Sequence, residues 1–149
     1  MKTKFTVAMV PLSAKPWHSG HTALVKAACR AFDKVVIAVM QNPDKSKTTG
    51  KVPTALLKSC DGKAVVVRYP GMLADVVREV NPDAIVRGIR NFIDFEYEKA
   101  QQYWNEDLGV GIPFFYVIAP RELVHVSSSA IRTIDKLTKD KKKEPKESK

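Results

Sequence analysis

The sequence predicts an α/β fold: a Rossmann-like, open five-stranded parallel sheet with helices on both faces. Three observations predict it. Five short apolar runs, most of them rich in β-branched residues, recur along the 149 residues. Stretches with apolar residues three and four positions apart separate most of them, which is the helical period. The polar clusters follow the apolar runs, so in a parallel sheet they gather at one edge, beyond the carboxyl ends of the strands.

Phe5–Val10 reads as the first strand, and the polar turn Pro11–His21 leads from it into a helix over Gly20–Phe32. Leu24, Ala27, Ala28 and Ala31 are spaced to form the buried face of that helix. Val35–Met40 is continuously apolar, as expected of a central strand covered on both faces. Asn42-Pro43 ends it, and the Lys-rich stretch Asp44–Val52 reads as a mobile loop. A short helix over Thr54–Cys60 and the turn signal Asp61-Gly62 lead to a third strand, Ala64–Arg68. Met72–Val80 reads as a helix with Leu73, Val76, Val77 and Val80 facing inward. Asn81-Pro82-Asp83 stops it before a fourth strand, Ala84–Arg87. Asn91–Leu108 reads as a longer helix, Pro113–Ala119 as the fifth strand, and Ser127–Leu137 as a final helix.

Hydrophobic residues make up 44% of the chain and charged residues 28%, which suits a single globular domain. The domain is expected to span residues 1–135. The remaining segment, 136–149, holds seven Lys and three acids, lacks apolar periodicity and reads as a disordered basic tail. It carries four of the nine net positive charges. The modestly basic body that remains suits phosphorylated small molecules, and nucleic acid is not the expected partner. No apolar run approaches a membrane span, and the short run after Met-Lys-Thr-Lys is not a signal peptide, so the expected location is the cytoplasm. Cys29 and Cys60 lack metal-ligand spacing, and no disulfide is expected in that setting.

Several motifs are missing. There is no Gly-x-x-x-x-Gly-Lys-Ser/Thr loop, no Gly-x-Gly-x-x-Gly after a strand, and no Gly-x-Ser-x-Gly elbow. What stands at the functional edge is different. His18 and His21 flank Ser19-Gly20 at a helix start, where backbone N–H groups favour a phosphate. The pair has no third ligand beside it, and no protein-held metal is expected. Arg87-Gly88-Ile89-Arg90 offers two guanidinium forks around a glycine, a plausible phosphate clamp. Asp94-Phe95-Glu96-Tyr97-Glu98 follows in the first turns of a helix, where acids also favour the dipole. Ser127, Ser128 and Ser129 open the last helix, either as caps or as a nest of donors for a phosphate chain.

Taken together, the His-Ser-Gly-His turn, the run from Val86 to Glu98, and Val126-Ser-Ser-Ser-Ala-Ile-Arg132 resemble the nucleotidyltransferase superfamily with the (His/Thr)-x-Gly-His signature. The second motif is similar to that of the phosphopantetheine adenylyltransferases. The resemblance covers about Phe5 to Leu137. It implies transfer of AMP from ATP to 4′-phosphopantetheine, giving dephospho-coenzyme A and pyrophosphate, with Mg²⁺ accompanying ATP. It implies His21, Arg90 and Ser128 as catalytic residues. It assigns Ser13, Ala14, His18, His21, Gly88, Ile89, Arg90, Glu98, Ser127, Ser128 and Ser129 to ATP. Ser13, Lys45, Ser46, Leu73 and Arg87 are assigned to the acceptor. The partners implied are ATP and a phosphorylated small molecule, in a homo-oligomer that is usually a hexamer. The alternatives are a related transferase with another phosphate acceptor, such as nicotinamide mononucleotide or a cytidylyl-type substrate, and a non-enzymatic nucleotide- or RNA-binding protein. The chain departs from the family at Leu12-Ser13-Ala14-Lys15-Pro16, where relatives carry Gly-Ser/Thr-Phe-Asp-Pro.

Overall fold

A computed structural model describes residues 4–14, 16–41 and 50–141. Its elements, in chain order, are β1 (Val7–Leu12), α1 (Ser19–Ala31), β2 (Lys34–Met40), α2 (Thr54–Ser59), β3 (Ala64–Tyr69), α3 (Leu73–Val80), β4 (Ala84–Ile89), α4 (Phe92–Asp107), β5 (Phe114–Ile118) and α5 (Ser128–Lys141). A single 3₁₀ turn, Arg121–Leu123, precedes α5. The sheet is all parallel, in the order β3-β2-β1-β4-β5, so the chain reverses its direction of winding between β1 and β4.

Side chains alternate across the sheet, so the two faces bury two cores. Ala8, Val10 and Leu12 join Val25, Ala28, Cys29 and Phe32 of the α1 region on one side, with Leu56 and Cys60 around α2. Met9, Val36, Ala38 and Ile85 join Ala74 and Val76 of α3 on the other. Helices therefore do cover both faces, as the sequence predicts. Asp83 fastens the far end of the split between halves: its Oδ2 accepts from the backbone N–H of Thr6 and of Val7 and from the Thr6 hydroxyl, at 2.8–3.0 Å.

The pairing of β1 with β2 is continuous from Val7↔Lys34 to Leu12↔Val39. The pairing of β1 with β4 is brief, Ala8↔Ala84 and Met9↔Ile85. Beyond those residues the two strands part, and the crevice that opens is where ligands sit in such sheets. Pro11 explains why the ladder stops, because it has no N–H to donate. Its carbonyl is taken instead by the Arg87 guanidinium.

Three element boundaries and one buried face depart most from the sequence expectation. β1 extends through Pro11 and Leu12, because the strand needs no donor from Pro11 where β4 has already diverged. β4 runs past Arg87 to Ile89, so Gly88 and Ile89 lie in the strand and Arg90 just beyond it. The buried face of α1 is Val25, Ala28 and Cys29, rotated about one residue from the expected stripe. Leu24 packs against the core on that side and, with Ala27, also lines a cavity, while Ala31 is exposed. Finally, α5 continues to Lys141, so residues 136–141 of the expected tail are helical. The greater part of the expected mobile loop, 44–49, and the end of the tail, 142–149, lie outside the described residues.

Candidate active site

The first turn of α1 is built by reciprocal capping. Gly20 N–H donates to His18 Nδ1 at 3.1 Å, and His18 N–H donates to His21 Nδ1 at 3.2 Å. The two imidazoles stack with centroids 3.8 Å apart. Gly20 is required by space: a Cβ there would lie 2.8 Å from His18 Cε1 and 2.9 Å from its Nδ1.

The capping fixes the chemistry of His21. Its Nδ1 is occupied as an acceptor, so the neutral ring carries its proton on Nε2. Burial pushes the His21 pKa down to about 4, with His18, Arg87 and Arg90 adding electrostatic pressure in the same direction. His18 is also lowered, first by burial and then by Arg90. At neutral pH, His21 is thus a fixed neutral donor and not a base.

Arg87 stands in the crevice between β1 and β4. Its Nε and Nη2 donate to Glu98 Oε2 and Oε1 at 2.9 and 2.8 Å, and Nη1 donates to the Pro11 carbonyl. Arg90 is held in a similar way. Its Nε and Nη2 donate to the two oxygens of Asp94, and its Nη1 to the Val126 carbonyl at 3.1 Å. The Arg90 pair holds Asp94 below the usual carboxylate range. The Val126 bond ties the serine segment to the end of β4. In that segment the Ala130 N–H donates to Ser127 Oγ, and Arg132 donates to Ser129 Oγ.

Two cavities of about 420 and 430 Å³ meet at Arg87, which lines both. The first lies between α1 and the ends of β4 and β5. His21, Gly88, Ile89 and Arg90 line it, with Leu24, Val117 and Leu123 as apolar wall and Lys26 and Arg30 along α1. The second lies on the other side of the split. Ser13, Leu73 and Met72 line it, together with Tyr97, Gln101 and Trp104 from α4 and Leu108, which caps that helix.

The structure thus brings His21, Arg87, Gly88, Ile89, Arg90, Ser13 and Leu73 to two adjoining cavities. His18 joins them through its stack on His21. Glu98 and Ala14, also assigned to ATP by the resemblance, line neither cavity. Glu98 is buried, and both its oxygens hold Arg87. Ala14 is completely buried at a positive φ of 46°, beneath Gly50, where any Cβ would overlap the Ala14 carbonyl. Lys45, Ser46 and Lys15 lie outside the described residues, as does the side chain of Ser128, the first residue of α5. The α4 wall was missed from sequence, although it carries a signal. Tyr97, Gln101, Trp104 and Leu108 recur at i, i+4, i+7 and i+11, one face of a helix.

An open parallel sheet with a histidine-headed helix at its switch point, two arginine clamps and two adjoining cavities defines a nucleotidyltransferase of the His-x-Gly-His class. The model of the cytidylyltransferase-like family matches residues 13–134. The chain is 35% identical over 141 residues to the phosphopantetheine adenylyltransferase of Nautilia profundicola, with 91% of each chain covered. It is 35% identical over 138 residues to that of Micrococcus luteus, covering 89% of this chain and 87% of the relative. The chain belongs to the cytidylyltransferase-like family, as a phosphopantetheine adenylyltransferase-like member of it. Solved structures agree on the fold. Pantoate-beta-alanine ligase from Francisella tularensis superposes with a TM-score of 0.56 at 12% identity, covering 93% of this chain and 72% of that one. The lipopolysaccharide core biosynthesis protein from Thermoplasma volcanium gives 0.51 at 18% identity, covering 78% and 99%. Among the described residues, no helix is long and apolar enough to cross a membrane.

Proposed function

We propose that this chain transfers adenylate from ATP to 4′-phosphopantetheine, giving dephospho-coenzyme A and pyrophosphate. The observation that carries the proposal is the pair of cavities meeting at Arg87, beside the donor end of α1. A nucleotide in one and a phosphorylated arm in the other would bring two anions together at that point. The apolar Leu24–Val117–Leu123 wall suits a base, and the Met72–Leu73–Trp104 wall suits an extended, largely uncharged acceptor.

The reaction makes modest demands. A phosphate oxygen of the acceptor attacks the α-phosphorus of ATP, and the bond from that phosphorus to the β-bridging oxygen breaks. The nucleophile is already ionised at neutral pH, so no general base is required. Catalysis reduces to alignment and to neutralising charge on the phosphoryl oxygens. His21 Nε2–H would serve as that donor, and Arg90 and the serine segment would steady the triphosphate. Arg87 holds the acceptor phosphate on the other side.

Mg²⁺ belongs to ATP in this reading. The acids nearest the phosphates, Glu98 and Asp94, are each committed to an arginine. Among the described residues no group of three or more His, Cys, Asp or Glu could hold a metal. These described residues do not build a cage for the ion. A homo-oligomer also fits, since α4 exposes Phe92 and Ile93 at 73% and 78%, surface that association would cover. A single-subunit mass in solution would remove that part of the proposal.

The test is pyrophosphate release with ATP or CTP against 4′-phosphopantetheine and nicotinamide mononucleotide. Turnover is expected with ATP and 4′-phosphopantetheine together. Preferential turnover with nicotinamide mononucleotide or CTP, or nucleotide binding without any turnover, overturns the proposal.

A further inference from the structure

Trp17 precedes the capping residue of α1, and the reaction proposed above gives it no role. Its indole is partly buried and packs against the core that α1 shares with the sheet. Its Nε1–H donates to Thr22 Oγ1 at 2.9 Å, spanning the first turn of the helix. Its ring lies against His21, with centroids 5.1 Å apart and planes inclined at 45°. His21 therefore has two aromatic neighbours, His18 stacked at 3.8 Å and Trp17 tilted against it.

We propose that Trp17 is a positioning residue for the transfer step, clamping the His21 imidazole in the orientation that aims Nε2–H at the nucleotide. The proposal rests on the reading of His21 as the phosphoryl donor. The capping hydrogen bond at Nδ1 sets the tautomer and the His18 stack covers the ring, but neither stops the ring from turning in its own plane about that bond. A rigid indole fixed at both ends, by the core and by Thr22, removes that freedom. Buried tryptophans usually find a partner for N–H, and here the partner lies on the same helical turn as His21. Holding a catalytic side chain to within a fraction of an ångström is the task such supporting contacts perform. Trp17 also excludes water from the ring, consistent with burial being the largest cause of the depressed His21 pKa. The other groups bearing on that titration are His18 on the same turn, and Arg87 and Arg90 at the end of β4.

The test uses Trp17→Leu, Trp17→Phe and Thr22→Val. Trp17→Leu is expected to lower kcat between about tenfold and a hundredfold, with KM for ATP and acceptor within about twofold of wild type. Its His21 ring resonances, followed by NMR, should titrate with a midpoint moved up from about 4 towards the ordinary value of about 6.5. Trp17→Phe and Thr22→Val remove the same hydrogen bond. Each should lower kcat by a smaller factor, and the double variant should be no slower than the worse single. Wild-type kcat and an unmoved His21 midpoint in Trp17→Leu overturn the proposal. If Trp17→Leu fails to fold, additive losses in the Trp17→Phe/Thr22→Val cycle overturn it. If His21→Ala keeps full turnover, the role of His21 fails on its own account. The NMR midpoint then still decides whether Trp17 clamps the ring.

Discussion

Gly20 and His21 divide the work of one helical turn. Gly20 leaves the space the His18 ring occupies, and His18 in turn donates its backbone N–H to His21. Gly20→Ala would push the His18 ring aside and break that reciprocal cap. The expected outcome is a fall in kcat with the fold retained, measured by steady-state kinetics and far-UV circular dichroism. His21→Ala removes a charge-stabilising donor. Its turnover should fall by about 10²–10³-fold, with ATP affinity kept, measured by turnover and calorimetry. The lowered His21 pKa has a consequence for stability. Between about pH 6.5 and 4 the unfolded chain takes a proton on this residue that the folded chain refuses. Stability should therefore decline as pH falls through that window and level off below it. Urea midpoints at several pH values check this, and His21→Gln should lose that share of the slope.

At the scale of elements, the split between β1 and β4 creates the site. Pro11 ends their ladder, and Arg87, gripped by Glu98 from α4, spans the opening. Glu98→Gln weakens that grip. We expect a stability loss of about 1–3 kcal/mol by urea denaturation. KM should rise for both substrates, because Arg87 lines both cavities. α4 contributes to the second cavity alone. Trp104→Ala should raise KM for the acceptor several-fold and leave KM for ATP in place, a split that steady-state kinetics reads directly. The spacing of Tyr97, Gln101, Trp104 and Leu108 marks one helix face in the sequence, but spacing alone does not say that the face lines a cavity, with Tyr97 and Trp104 exposed at 62% and 63%, rather than a core.

The whole molecule depends on a sheet buried from both sides. Ile37 lies at its centre with no exposed surface, and Ile37→Ala should cost about 2–5 kcal/mol in urea denaturation. The fold was legible because five apolar runs and the intervening periodicity leave few other arrangements. The misread boundaries share a cause. Pro11 looks like a strand breaker and Gly88 like a loop residue by type, yet strand pairing and the crevice beyond it decide their conformation. On α1 the expected stripe holds at Leu24 and Ala28, but the apolar type of Ala27 and Ala31 did not reveal that one lines a cavity and the other faces solvent.

By itself, the sequence determined the α/β class, the parallel sheet, and the clustering of His21, Arg87, Arg90 and the serine segment at one edge. Periodicity and chain order are local properties, and they suffice for that. Only the tertiary structure decided that Glu98 serves Arg87, that Ala14 is buried beneath Gly50, and that one arginine lines both cavities. Those facts depend on which residues distant in sequence meet across the crevice, and a distance of that kind is set by packing rather than by local pattern.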